Sequence, residues 1–203
     1  RIKNLWQFVT YLNLSVLFQW GISYHELAGE RVFIGKKKEN RNHHVDHGEL
    51  KRRFFGKGTR QLIKDYLLFP VIAGPLFLWV FAGNLLANLL RNLWTSTIIF
   101  CGHFTEHVHT FTEESIKDES LGHWYYRQGL GSSNIQGKHW FHVLTGHLSF
   151  QIEHHLFPDL PSSRYQEVAP QVQAVFKEYG LPYNTGSFWT QYSGVVKRIL
   201  RYS

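Results

Sequence analysis

The chain has 203 residues, enough for one domain with a packed core, and its 22 Lys+Arg outweigh 15 Asp+Glu for a net charge of +7. That balance suits an anionic partner, such as a phospholipid surface, an acidic protein or a phosphorylated substrate; nucleic acid is not among the partners expected. A single cysteine, Cys101, excludes an internal disulfide framework, and an aromatic content of 16% suits side chains at a membrane interface.

Methionine is absent, even at position 1, and the chain opens Arg-Ile-Lys, which reads as the interior of a longer polypeptide. Residues 1–10 lack the basic, apolar, small-residue order of a signal peptide. Residues 1–24 form the first segment. Within it LWQFVTYLNLSVLFQWGISY has apolar residues diluted by Gln7, Asn13, Ser15 and Gln19, with Trp6 and Trp20 near its ends. An interfacial helix lying along the membrane fits better than a span. Residues 25–65 form a basic segment, with nine Lys and Arg between Lys36 and Arg60, which places it on the cytosolic side.

Residues 66–102 carry the membrane signal. YLLFPVIAGPLFLWVFAGNLLANLL is free of charge, and after Arg91 the run NLWTSTIIFCG is uncharged again. A straight helix from Tyr66 to Cys101 would be about 54 Å long against a hydrocarbon core of about 30 Å. A transmembrane hairpin turning near Gly83 and Asn84 resolves the mismatch and brings both ends to the cytosolic face; a single span with a protruding helix is the alternative. In the hairpin Asn88, Arg91 and Asn92 must face inward and be paired. Residues 103–203 form a cytosolic helical cap. A helix is expected over residues 162–179 from the spacing of Tyr165, Val168, Val172, Val175, Phe176 and Tyr179, kinked or divided at Pro170 and stopped at Gly180. A last amphipathic helix covers roughly residues 188–200. The fold class is therefore an all-α membrane protein: a hairpin and an interfacial helix capped by helices in the cytosol.

Histidines supply the chemistry. In QIEHHLFP, His154 and His155 adjoin, and on one continuous helix positions 147, 151, 154 and 155 would share a face. A Gln at such a position ligates weakly but can hold water or orient a neighbouring imidazole. CGHFTEHVH brings His103 at the end of the apolar run, His107 one turn on, and His109 in a loop. His43, His44 and His47 lie among cations that oppose metal binding. His25, His123, His139 and His142 read as polar surface or interface residues, and Cys101 as a packed membrane residue.

GHLSFQIEHHLFPDLPSSRY, residues 146–165, resembles the third histidine box of membrane fatty-acyl desaturases. The likeness is closest to the branch with Gln-x-x-His-His, which includes front-end desaturases and bacterial acyl-CoA delta-9 desaturases. RNLWTSTIIFCGHF, HWYYRQGLGSSNI and YGLPYNTGSF extend the likeness over residues 60–203. The resemblance implies membrane helices capped by a cytosolic domain, with a non-haem di-iron centre between them. It makes His103, His154 and His155 iron ligands and Gln151 and His147 further candidates for metal contact or for orienting a ligand; His107 is a further candidate by its i, i+4 spacing to His103. It also implies an acyl-CoA or acyl-lipid substrate, O2, membrane lipids, and an electron donor such as ferredoxin with its reductase or cytochrome b5.

Two further histidine boxes, HxxxH and HxxHH, are expected upstream in this family and do not occur before the membrane segment. The chain therefore reads as the C-terminal portion of a desaturase, inactive alone, its iron centre completed by histidines outside these residues. A hydroxylase on the same scaffold, a non-catalytic basic membrane module and a bis-histidine haem protein are the rival readings. Lys36, Lys37 and Lys38 are the candidates for contacting CoA or lipid phosphates. Neutralising all three should raise the apparent KM for acyl-CoA at low ionic strength, and an unchanged KM would discard that role.

Overall fold

A computed structural model describes residues 2–26, 47–112 and 114–202. They are mostly helical, in the order α1 (Ile2–Val16), α2 (Phe18–Glu26), α3 (His47–Ile63), α4 (Phe69–Ile72), α5 (Phe77–His103), α6 (Leu121–Leu130), β1 (Asn134–Gln136), α7 (His139–Leu144), α8 (Gln151–Leu156), α9 (Tyr165–Glu178), β2 (Thr185–Ser187) and α10 (Phe188–Tyr202). The chain divides into two compact units, one of residues 1–11 with 95–203 and one of residues 12–94. Lys36, Lys37, Lys38, His43 and His44 lie outside the described residues.

The unit of residues 12–94 is a helical hairpin, but its turn differs from the sequence expectation. α5 runs unbroken through Gly83 and Asn84. The reversal falls instead at residues 73–76, where Gly74 takes φ +56° and Pro75 sits inside a single 3-10 turn. A residue free of Cβ followed by one without an N–H ends a helix better than Gly-Asn in mid-run. The arms are clasped by polar groups. Asn84 Nδ2 donates to the Asp65 carbonyl (2.6 Å), and Asn88 Nδ2 donates to the Tyr66 hydroxyl (2.8 Å) and to Asp65 Oδ2 (3.3 Å). Arg91 donates to Gln19 Oε1, and Asn92 Nδ2 donates to the Val16 carbonyl at 2.8 Å. Asn88 and Asn92 are paired inward as expected, whereas Arg91 is paired but exposed. Among the described residues one segment, Gly74–His103, is long and apolar enough to cross a membrane, with a mean hydropathy of 1.3 over its most apolar 18 residues. The other arm contains Arg60, Lys64 and Asp65 and does not reach that hydropathy. Residues 5–24 form two helices that break at Leu17.

In the other unit, α8 and α9 close a core of Ile152, Leu156, Val172 and Phe176, with Leu181 and Tyr183 against it. α9 is continuous through Pro170, which does not divide it, and Gly180 follows with φ +64°. Its apolar stripe is only partly used: Tyr165, Val172 and Phe176 are buried, whereas Val175 and Tyr179 are exposed. The all-α expectation needs one correction. β1 and β2 pair in parallel, Asn134 opposite Thr185 and Gln136 opposite Ser187. Strands of three residues are too short to show an alternating pattern.

Gly129 of α6 meets α9 closely, and a Cβ there would lie 2.4 Å from Phe176 Cζ. Gly129→Val should therefore cost roughly 1–3 kcal/mol of stability. Urea titration in detergent measures it, and Phe176→Leu in the same chain should recover part of the loss.

Candidate metal centre

His103 is the last residue of α5, and the sequence beyond it pins that helix end. The carbonyls of Cys101 and Gly102 would lack intrahelical partners at a helix terminus. The Ser133 hydroxyl donates to the first (2.6 Å) and the Ser133 N–H to the second (2.9 Å). Thr105 Oγ1 donates to the Ser133 hydroxyl at 3.1 Å, and Arg198 Nη1 donates to the Thr105 and Val108 carbonyls at 2.7 and 2.8 Å. Cys101 is fully buried within this turn, as its place in the apolar run implies.

α8 approaches where Gly102 has no side chain. A Cβ at Gly102 would lie 2.3 Å from Gln151 Cγ. At this approach His155 Nε2 lies 3.4 Å from His103 Nε2, the two rings nearly perpendicular at 87°. Gln151 is 2% exposed, and its Oε1 is buried with no hydrogen-bond partner among the described residues. His154 stands beside the pair, its ring centroid 5.4 Å from that of His155.

Each imidazole is also held from outside. His155 Nδ1 lies 3.1 Å from Gln128 Oε1, His154 Nδ1 lies 3.1 Å from the Tyr165 hydroxyl, and the His103 ring is hydrogen-bonded to the Gly131 carbonyl. Burial, with the His103 and His154 rings close by, pushes His155 down to about 4. Burial lowers His154 as well. His155 is therefore neutral at pH 7 and keeps one ring lone pair to offer.

The centre rests on a polar residue that the sequence reading passed over. Glu153, between the box glutamine and the histidine pair, is fully buried. Asn134 Nδ2 donates to its Oε2 (2.8 Å) and the Tyr183 hydroxyl to its Oε1 (2.7 Å). Asn134 Oδ1 accepts the Ile152 N–H at 2.9 Å, and Gln191 Nε2 donates to the Asn134 carbonyl at 2.9 Å. Burial raises the Glu153 carboxyl, while its bonds to Tyr183 and Asn134 oppose the rise. Burial and the adjacent Glu153 push the Tyr183 hydroxyl above its ordinary range, so it remains a donor. Gln128, Ser133 and Asn134 all fall in HWYYRQGLGSSNI, and Tyr183 in YGLPYNTGSF; those stretches carried the signal, as family likeness rather than as chemistry.

Other expected residues lie apart. α8 begins only at Gln151, so His147 is not on its face; it occupies a turn with φ +60°, its Nδ1 buried and without a hydrogen-bond partner among the described residues. His107 is exposed beside a cleft formed with Pro182, Tyr183 and Asn184. His142, read as surface or interface, is buried, with Nδ1 2.7 Å from the Ser149 hydroxyl and Nε2 2.9 Å from the Gly137 carbonyl.

The donors suit a shared cation in part. Two imidazole nitrogens bound at roughly 2.0–2.1 Å to one ion sit about 3.0–3.4 Å apart, and the pair here is at 3.4 Å. The buried, unpartnered Gln151 oxygen, one helical turn before His155, could serve as a third, uncharged donor. Among the described residues no three His, Cys, Asp or Glu side chains gather as a ready cation site.

Asn134 is the hub of the support. Asn134→Ala leaves the Ile152 N–H and a buried carboxylate short of partners and should cost roughly 2–4 kcal/mol, whereas Glu153→Gln should cost less than half of that. Chemical denaturation of the two variants in detergent compares them.

The fatty acid desaturase family matches residues 1–187. The NADPH-dependent stearoyl-CoA 9-desaturase of Mycobacterium tuberculosis is 36% identical over 207 residues, covering 98% of this chain and 47% of that protein. The acyl-lipid 8-desaturase of Rebecca salina is 36% identical over 113 residues, 54% of this chain and 25% of that protein. The delta(8)-fatty-acid desaturase of Borago officinalis is 28% identical over 138 residues, 63% of this chain and 30% of that protein. The chain thus spans about half the length of the mycobacterial relative and less of the other two. No solved structure matches the chain. Matched by the family over residues 1–187, and 36% identical to a desaturase along 98% of its length, the chain belongs to the fatty acid desaturase family.

Proposed function

We propose that this chain carries part of the iron centre and the membrane anchor of a fatty-acyl desaturase, acting on an acyl-CoA or acyl-lipid at the cytosolic face of a membrane. The carrying observation is the meeting of His103 and His155 through their Nε2 atoms at 3.4 Å, from elements 52 residues apart in sequence. A surface histidine pair has no reason to find a third imidazole at the end of an apolar helix long enough to cross a membrane. The names of the relatives support a fatty-acyl substrate.

Removing hydrogen from two adjacent methylenes offers no foothold to an acid or a nucleophile. A pair of non-haem irons would supply that chemistry by reducing O2 to an oxidant strong enough to abstract it. The balance is two hydrogens from the acyl chain, O2, two electrons and two protons, giving the double bond and two waters. The electrons come from a small redox protein such as ferredoxin or cytochrome b5. In this reading His103 and His155 are ligands through Nε2 and His154 is a ligand of the same centre. Gln151 offers its uncharged buried oxygen to the metal or to a bound water, and His147 stays in reserve beside α8. The Gly74–His103 helix anchors the protein and delivers His103 to the membrane surface.

His103→Ala and His155→Ala, made in the protein that carries this chain, should each abolish product double bonds in the lipids of expressing cells, read by gas chromatography. Each should lower the iron content of the purified protein while leaving it in the membrane fraction. Undiminished unsaturated product would remove the ligand assignment.

A further inference from the structure

The outer edge of the histidine pair holds a residue to which no role has been given. Gln128 lies on α6, and its Oε1 is 3.1 Å from His155 Nδ1, on the side of the ring opposite His103. A neutral imidazole carries one proton, and whichever nitrogen holds it cannot bind a metal. We propose that Gln128 is a positioning residue for His155: its amide oxygen accepts the Nδ1–H and so fixes the tautomer that leaves Nε2 bare toward His103. The inference rests on the metal-binding reading of that pair and adds what sets its geometry.

The support around Gln128 is stiff enough for such a role. Its neighbour Arg127 forms a two-pronged bond with Glu119, Nε to Oε2 at 2.9 Å and Nη2 to Oε1 at 2.5 Å. The Ser132 hydroxyl donates to the Gln128 carbonyl, and Gly129 is closed against Phe176. The backbone of Gln128 is thus fixed on both sides, and the amide has a short reach to one imidazole. Tyr165, the corresponding neighbour of His154, differs in kind. A hydroxyl can donate or accept, so it orients the His154 ring without dictating which nitrogen is protonated. An amide oxygen only accepts. An amide turned the other way would place N–H against Nδ1 and move the ring proton to Nε2, 3.4 Å from the facing nitrogen. The two arrangements therefore differ in an observable, the position of one proton.

The experiment uses the full chain in detergent, with Gln128→Leu, which keeps the volume and removes the acceptor, and Gln128→Glu, which keeps an acceptor oxygen. Nitrogen-15 NMR of the metal-free, histidine-labelled chain should show His155 with its proton on Nδ1, mixed tautomers in Gln128→Leu, and the Nδ1–H form again in Gln128→Glu. Titration with iron(II) should show affinity about 10–100-fold weaker in Gln128→Leu and near the parent value in Gln128→Glu. A proton on Nε2 in the parent chain, or a Gln128→Leu chain with unchanged tautomer, overturns the inference; so does a Gln128→Leu chain whose iron affinity equals that of a parent chain that binds iron. A parent chain that binds iron(II) no better than His155→Ala sinks the metal reading instead, and the tautomer spectra then decide on Gln128 alone.

Discussion

The centre depends on a helix terminus and a short helix being allowed to touch. Gly102 has no side chain, so the backbone of α8 comes within reach of the last turn of α5, and Gln151 fills the space that a Cβ would take. Any larger residue at 102 would displace Gln151 and, with it, the histidine pair one turn further along. Two imidazoles are strongly hydrated groups, and holding them side by side out of water requires a rigid frame or a shared ion. The frame is what the chain itself provides.

That frame cannot come from helix propensity. α8 has six residues, far below the length at which a helix is stable alone, and its nucleation must be supported by tertiary contacts. Apolar packing of Ile152 and Leu156 on α9 supplies one side. The other side is polar and buried: Glu153, Asn134 and Tyr183 satisfy one another, and Asn134 also caps the Ile152 N–H. A buried carboxylate without donors would be among the costliest groups in the fold, so the network is stable only when complete. The parallel pairing of β1 with β2 supports the network, because it sets Asn134 where Gln191 can reach its carbonyl.

The hairpin of residues 12–94 solves a similar problem. Asparagine in an apolar helix is a liability unless its amide finds a partner. Here Asn84, Asn88 and Asn92 recur every four residues along one side of α5 and donate to Asp65, Tyr66 and Val16. Together with the Tyr66–Phe81 ring contact at 5.5 Å, the ladder fixes one register of the two arms. The side chains exposed on this unit, Ile72, Leu78 and Trp79 among them, are those expected to face hydrocarbon.

The sequence by itself determined what periodicity and local chemistry can encode. It marked the apolar run, its internal polar residues needing partners, a helix over residues 162–179 that is observed over 165–178 and one over roughly 188–200 that is observed over 188–202. It also singled out His103 and the QIEHH box, whose His155 the structure brings to His103. The bounds it misjudged were those set by single residues in context. Gly83-Asn84 and Gly74-Pro75 both carry turn residues; the missing N–H of Pro75 favours the second, and the packing of Asn84 against Asp65 keeps the first helical. The helix assumed to carry His147 stops short because Gly146 and His147 both adopt positive φ. Tertiary structure alone decided the rest: that Glu153 points inward to Asn134 and Tyr183, and that Gln128 backs His155. Those pairings join residues 19 to 30 positions apart, and no local pattern records contacts made across such distances.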